Sequence, residues 1–176
     1  STILLVDNLR ITSETILITQ KSGTSQTVHV TTAGTLDQLI NSEDKDIIEE
    51  LTLTGKINTF DFDFIRTMKN LKALDLSKTD NTTIPASCLA NTNISTVLLP
   101  LGLTAIPNRA FYQAAITSIY IPETVQTIGE YAFYQCKSIT GNLVIPDART
   151  TFGNYSFPSC TLNGTLPQGN GLQTIG

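Results

Sequence analysis

The chain has 176 residues, 40% of them hydrophobic, which suits one packed domain or one short repeat array. A net charge of −4 without any Lys/Arg cluster is too mild to imply a nucleic-acid partner. No apolar run approaches the ~18 residues of a membrane span, and no charged-then-apolar leader opens the chain, so any signal peptide is expected to have been removed or excluded.

Residues 1–33 differ in pattern from the rest of the chain. The β-branched runs Thr2–Val6, Thr15–Thr19 and Thr27–Thr31 are separated by Asn8, Ser13 and Ser22-Gly23, the pattern of short strands. They predict a small β-rich N-terminal cap, or the remnant of a preceding domain. Thr35 then precedes Leu36, Leu39 and Ile40 at helical spacing, which predicts a short capped helix. Asn41–Asp46 reads as a polar, acidic loop.

From Ile48 a repeat takes over. Its aliphatic triplets are Ile48/Leu51/Leu53, Leu71/Leu74/Leu76, Ile94/Val97/Leu99 and Ile116/Ile119/Ile121, then Ile139/Leu143/Ile145 with one extra residue at Gly141-Asn142. Leu162/Leu166 opens a sixth unit. First positions are separated by 23, 23, 22, 23 and 23 residues, a period characteristic of leucine-rich repeats. The expected fold is an α/β repeat: a right-handed solenoid over 34–176, with short parallel strands on a concave face and loops or short 3-10 or α turns on the convex side.

One unit shows why. In Ile116–Ile121 the aliphatic side chains alternate inward while Ser118 and Tyr120 point out, and Pro122 ends the strand because it has no N–H to donate. Val125 and Ile128 turn back over the core, Gly129 permits a bend, and Glu130–Gln135 is expected to form a short helical or 3-10 turn that buries Ala132 and Phe133. Phe111, Phe133 and Phe157 predict a convex spine in which Leu89 takes the place of a phenylalanine. Phe60–Ile65 predicts a longer helix in the first unit. At the other end Leu172–Gly176 matches Val125–Gly129, so the last unit is truncated and the array is expected to continue.

Charge thins along the array, from ten acids and six bases in residues 34–80 to three of each in 81–176. That balance, with many Thr, Ser and Asn, suits an extracellular β-rich protein. Cys88, Cys136 and Cys160 form no CxxC pair. Cys136 and Cys160 occupy equivalent places in successive units, where they either bridge or lie as free, buried thiols.

The unit Ile-Thr-Ser-Ile-x-Ile-Pro-x-x-Val-x-x-Ile-Gly-x-x-Ala-Phe-x-x-Cys resembles the Treponema pallidum-type leucine-rich repeat of BspA-like surface proteins. The resemblance covers residues 48–176 and is strongest over 94–160. Ala33–Leu36 and Glu50–Gly55 resemble the lead-in of such proteins from gut Bacteroidetes. It implies a secreted or outer-membrane-anchored, non-enzymatic protein that adheres to or binds host proteins or glycans, and it brings no catalytic residues. The departures, Leu89 for Phe, Ala114 for Cys and Phe152 for Ile, touch packing.

Residues for other chemistries are sparse. His29, the sole histidine, sits on the alternate face of a strand pattern, and no second histidine or paired cysteine offers a zinc site. Asp61/Asp63 and Glu43-Asp44 lack the glycine and bidentate acid of a calcium loop. No cofactor or metal is expected. Asn81, Asn93, Asn154 and Asn163 open glycosylation sequons but read as turn asparagines. The binding candidates are instead two outward columns, Glu50, Ala73, Thr96, Ser118, Asn142 and Thr52, Asp75, Leu98, Tyr120, Val144. Leu98, Tyr120 and Val144 would form an apolar stripe for an extracellular protein or glycan, with Asp75 and Glu50 setting charge at one end. Cross-strand stabilisation of the ladder is the structural alternative. The rival role for the whole chain is a spacer or self-association stalk.

Overall fold

The structure, a computed structural model, describes residues 10–12, 15–17, 20–22, 24–139 and 150–160, with only backbone pairing described between 10 and 22. The expected strand Thr2–Val6, the outward residues Asn142 and Val144, and the unit from Leu162 lie outside the described residues. Strands β1 (Arg10–Thr12) and β2 (Thr15–Leu17) form an antiparallel pair, and β3 (Gln20–Ser22) pairs antiparallel with β4 (Ser25–Val30). Helices α1 (Leu36–Leu39) and α2 (Ser42–Lys45) lead to β5 (Glu50–Gly55), α3 (Thr59–Arg66) and β6 (Ala73–Thr79). The remaining strands are β7 (Thr96–Leu98), β8 (Ala105–Ile106), β9 (Ser118–Tyr120), β10 (Thr127–Ile128) and β11 (Thr151–Phe152).

These make an α/β repeat with two parallel ladders. The larger sheet runs β3-β4-β5-β6-β7-β9, parallel from β4 onward, and the smaller runs β8-β10-β11. Register follows the repeat: Leu51 faces Leu74, Leu74 faces Val97, and Val97 faces Ile119. Leu51, Leu74 and Val97 are buried and Ile119 packs against the same core, so the inward aliphatics form one row. A single unit would leave that row wet on both sides, and stacking removes it from water at roughly 25 cal/mol per Å² of apolar surface.

Opposite the larger sheet, Phe133 lies between Phe111 and Phe157 with ring centroids 5.0 and 4.8 Å away, and Leu89 is buried where the aromatic row stops. Of the expected short helical or 3-10 turn the chain forms separate i→i+3 turns, not a helix. It makes linked turns, Ala110 N to Pro107 O, Tyr112 N to Arg109 O and Ala114 N to Phe111 O, repeated in the next unit. Arg109, Gln113, Tyr131 and Gln135 sit at left-handed φ of 54 to 57°, as do Ser87, Asn91, Tyr155 and Ser159 in neighbouring units within 53 to 62°. That conformation costs a non-glycine residue roughly 1–2 kcal/mol, and it breaks any helical run. In return alternate amides point at the next unit: Arg109, Phe111 and Gln113 donate to Glu130, Ala132 and Tyr134 carbonyls at 3.0, 2.8 and 2.7 Å. The same offset serves Tyr131, Phe133 and Gln135.

Gly129 serves close approach in place of the expected bend. Its φ is ordinary, but a Cβ there would lie 2.5 Å from the Asn108 amide nitrogen, and one at Gly153 2.5 Å from that of Glu130. The small sheet crosses from unit to unit too closely for a side chain.

The N-terminal flank is held differently. Asp61, buried in α3, accepts from Leu36 N at 2.9 Å through Oδ1, and from Gly34 N at 2.6 Å and Asn58 N at 2.8 Å through Oδ2. Thr35 does not cap α1 as its position suggested; its hydroxyl donates to Thr32 O, and the carboxylate of Asp61 takes the Leu36 amide. The expected loop Asn41–Asp46 contains the one-turn α2.

The three cysteines are free. Burial pushes the thiols of Cys88 and Cys136 up to about 12 and that of Cys160 up to about 11, with Cys160 adding to the effect on Cys136. The folded state therefore keeps protons that the unfolded state releases from about 9.0. Their stabilisation is complete below pH 9 and disappears as pH climbs through the folded values. Denaturant titrations should show stability falling above about pH 9, and Cys136→Ala should make that fall shallower. Phe133→Ala should cost about 3–5 kcal/mol in the same assay, because it empties the middle of the aromatic row.

Candidate ligand-binding face

The side chains that alternate with the inward row stand on the open face of the larger sheet, the face expected to be concave. Register places Glu50, Ala73, Thr96 and Ser118 in one column and Thr52, Asp75, Leu98 and Tyr120 in the other. Leu98 and Tyr120 are directly opposed across β7 and β9 and are 41% and 52% exposed. Among the polar neighbours Thr96, Ser118 and Thr52, these two large side chains stand side by side with about half of their surface open to solvent. Asn142 and Val144, which would continue the two columns, fall outside the described residues.

Strand β4 widens this face beyond the sequence reading. Ser25, Thr27 and His29 pair with Glu50, Thr52 and Thr54, so both columns gain a member before the first repeat. The alternation Ser-Gln-Thr-Val-His-Val was legible as a strand, but nothing in it announced a parallel partner twenty-five residues on. A third column follows from an irregularity in β6: Thr52 faces Asp75, but Thr54 faces Lys78. Asp75 Oδ1 accepts from Ser77 N at 2.8 Å inside that irregularity, which fixes its carboxylate beside the strand. His29 Nδ1 lies 2.7 Å from Thr54 Oγ1. The face therefore grades from charged and hydrogen-bonding at β4–β6 to apolar at β7–β9.

Three of the four acids weighed for calcium, Asp61, Asp63 and Asp44, have other partners. Asp61 is saturated by backbone amides, Asp63 pairs with Arg66 at 3.6 Å, and Asp44 accepts from Asn41 Nδ2 at 3.5 Å. Among the described residues no three His, Cys, Asp or Glu side chains gather as a metal site. Asn81 is not an exposed turn residue. It is buried, with Oδ1 accepting from Ile57 N at 3.0 Å and Nδ2 donating to Ile57 O at 2.7 Å, which ties two units together; Asn93 and Asn154 are exposed.

A surface aromatic cluster escaped the sequence reading. Tyr112 stacks on Tyr134 at 5.0 Å and Tyr131 on Tyr155 at 5.4 Å, while the Arg109 guanidinium lies 5.7 Å from the Tyr131 ring and 6.0 Å from that of Tyr112. The recurrence of Ala-Phe-Tyr-Gln at 110 and 132 was the available signal. Each ring here leans on its counterpart one unit away, so stacking, worth about 0.5–1.5 kcal/mol per pair, braces the turns.

No helix among the described residues is long and apolar enough to cross a membrane. Compared with known families, residues 43–163 match, in six copies, the model described as BspA type leucine rich repeat region. Comparison with curated proteins returns no match.

Proposed function

The chain belongs to the BspA-type leucine-rich repeat family, and on that premise we propose a non-enzymatic binding module, secreted or held at a cell surface, that adheres to an extracellular protein or glycan through the open face of its larger sheet. Leu98 and Tyr120 form the anchor, Thr96 and Ser118 border it, and Asp75 and Glu50 set the charge a ligand meets at the N-terminal side. Asn142 and Val144 are proposed as the continuation of the same columns. The family is typically a non-catalytic interaction module, and this role asks nothing of the chain beyond a rigid surface.

The observation that carries this reading is the pairing of Leu98 with Tyr120, both roughly half exposed on an otherwise polar sheet. Exposed aromatic side chains at the centre of a rigid patch are the usual source of binding energy, since they bury a large area at little entropic cost. Stability alone does not call for them, as threonine would serve the strands equally well. The chain should be screened against immobilised extracellular-matrix proteins and a glycan array. For whichever ligand binds, Leu98→Ser combined with Tyr120→Ala should weaken affinity about tenfold or more, with the far-ultraviolet spectrum unchanged. Undiminished binding by that variant would remove the proposed face.

A further inference from the structure

A second concave feature lies at the smaller sheet and shares no residue with the face described above. It is an open groove of about 480 Å³ that crosses three successive units at equivalent positions. Asn108, Glu130 and Asn154 contribute one polar side chain per unit, and the exposed Thr127 and Thr151 add hydroxyls from β10 and β11. Between these, Pro107, Phe152 and the backbone of Gly129 supply apolar and carbon-bound surface.

We propose that this groove binds a neutral polysaccharide, laid across the units with its sugar hydroxyls on the Asn108–Glu130–Asn154 row. Three features of the lining select that class of ligand. Among the described residues no Lys, Arg or His lines the groove and its only charge is the Glu130 carboxylate, while Arg109 just beyond the rim is engaged by the Tyr112 and Tyr131 rings, so phosphate, sulfate or uronate groups find no cation in the lining. The rim is too polar for an apolar helix, which would leave amide and carboxylate groups desolvated without partners. A sugar ring, by contrast, offers hydroxyls that both donate and accept at its edge and C–H groups on its faces. The lining matches both: carboxylate, amide and hydroxyl groups at the rim, with proline, phenylalanine and glycine backbone between them.

The groups available are also held in place. Asn108 Oδ1 is engaged by Glu130 N at 2.9 Å, which orients the Asn108 amide and leaves its NH2 to donate. Glu130 makes no ion pair with a described residue, so its two oxygens remain to accept from a diol. The residues following the rim, Arg109, Tyr131 and Tyr155, form a continuous stack, and the left-handed backbones of Arg109 and Tyr131 are hydrogen-bonded to the next unit. Such a wall loses little freedom when a ligand arrives. The repeat itself favours a polymer over a single sugar, because equivalent positions recur at the spacing of stacked units.

The test is native affinity electrophoresis of the whole chain through gels containing mannan, xylan, a β-glucan or amylopectin, with heparin and polygalacturonate as acidic controls. At least one neutral polymer should retard the chain. Glu130→Gln with Asn154→Ala should weaken that retardation about tenfold, the loss of a few solvent-competing hydrogen bonds. Retardation lost in Leu98→Ser/Tyr120→Ala but kept in the groove variant would place the polymer on the larger sheet and overturn the groove proposal, so the two readings fail separately. Should the double variant lose its fold, Glu130→Gln alone carries the test and should still reduce retardation. Retardation by the acidic polymers only, by no polymer, or equally by folded wild type and groove variant would overturn the proposal.

Discussion

Each described unit after the first leaves unfinished both its apolar side and its backbone hydrogen bonds, and the neighbouring unit completes both. The inward aliphatics Leu51, Leu74, Val97 and Ile119 share one row, and on the far side the amides of Arg109, Phe111 and Gln113 find acceptors only in Glu130, Ala132 and Tyr134. That mutual completion explains why six of the eight non-glycine residues with positive φ among the described residues tolerate it. An isolated turn with two such residues would relax. Here, for Ser87, Asn91, Arg109, Gln113, Tyr131 and Gln135, the amide of the strained residue is one rung of the ladder, and leaving it unpaired inside the stack would cost more than the strain.

The first unit solves the same problem with different chemistry. Its far side is α3, whose amides are satisfied internally, so it offers no ladder to the flank before it. Asp61 supplies the connection as a buried carboxylate accepting three backbone amides from Gly34, Leu36 and Asn58, and Asn81 repeats the device toward Ile57 with a neutral amide. Both were visible in the sequence as something else, a calcium-ligand candidate and a glycosylation sequon. Composition reveals a side chain's capabilities, but a buried partner twenty-odd residues away decides which one is used.

Much of the architecture was legible because it rests on period. The 22–23-residue spacing placed the strands in register, the alternation within each triplet placed Leu98 and Tyr120 outward, and the recurrence of Ala-Phe placed the aromatic row. The readings that failed concern backbone conformation without a side-chain signature. Nothing marks Arg109 or Tyr131 as left-handed, since neither is glycine or asparagine, and the inter-unit hydrogen bonds break the expected helical or 3-10 stretch into separate turns. Gly129 was noticed for the right identity and the wrong reason, flexibility in place of close approach. The groove at Asn108, Glu130 and Asn154 was missed because Glu130 interrupts the asparagine that the two flanking units share at that position.

Rigid stacking also joins fold to function, since both proposed surfaces are built from equivalent positions in successive units and exist only while the units remain in register. The most direct test of that dependence is residue-resolved hydrogen exchange on wild type and on Val97→Ala, which thins the shared row at one strand. Mutual completion predicts that protection falls together in β6, β7 and β9 and in the turns hydrogen-bonded to them. Faster exchange confined to the residues around Val97, with Leu74 and Ile119 amides as slow as before, would contradict it.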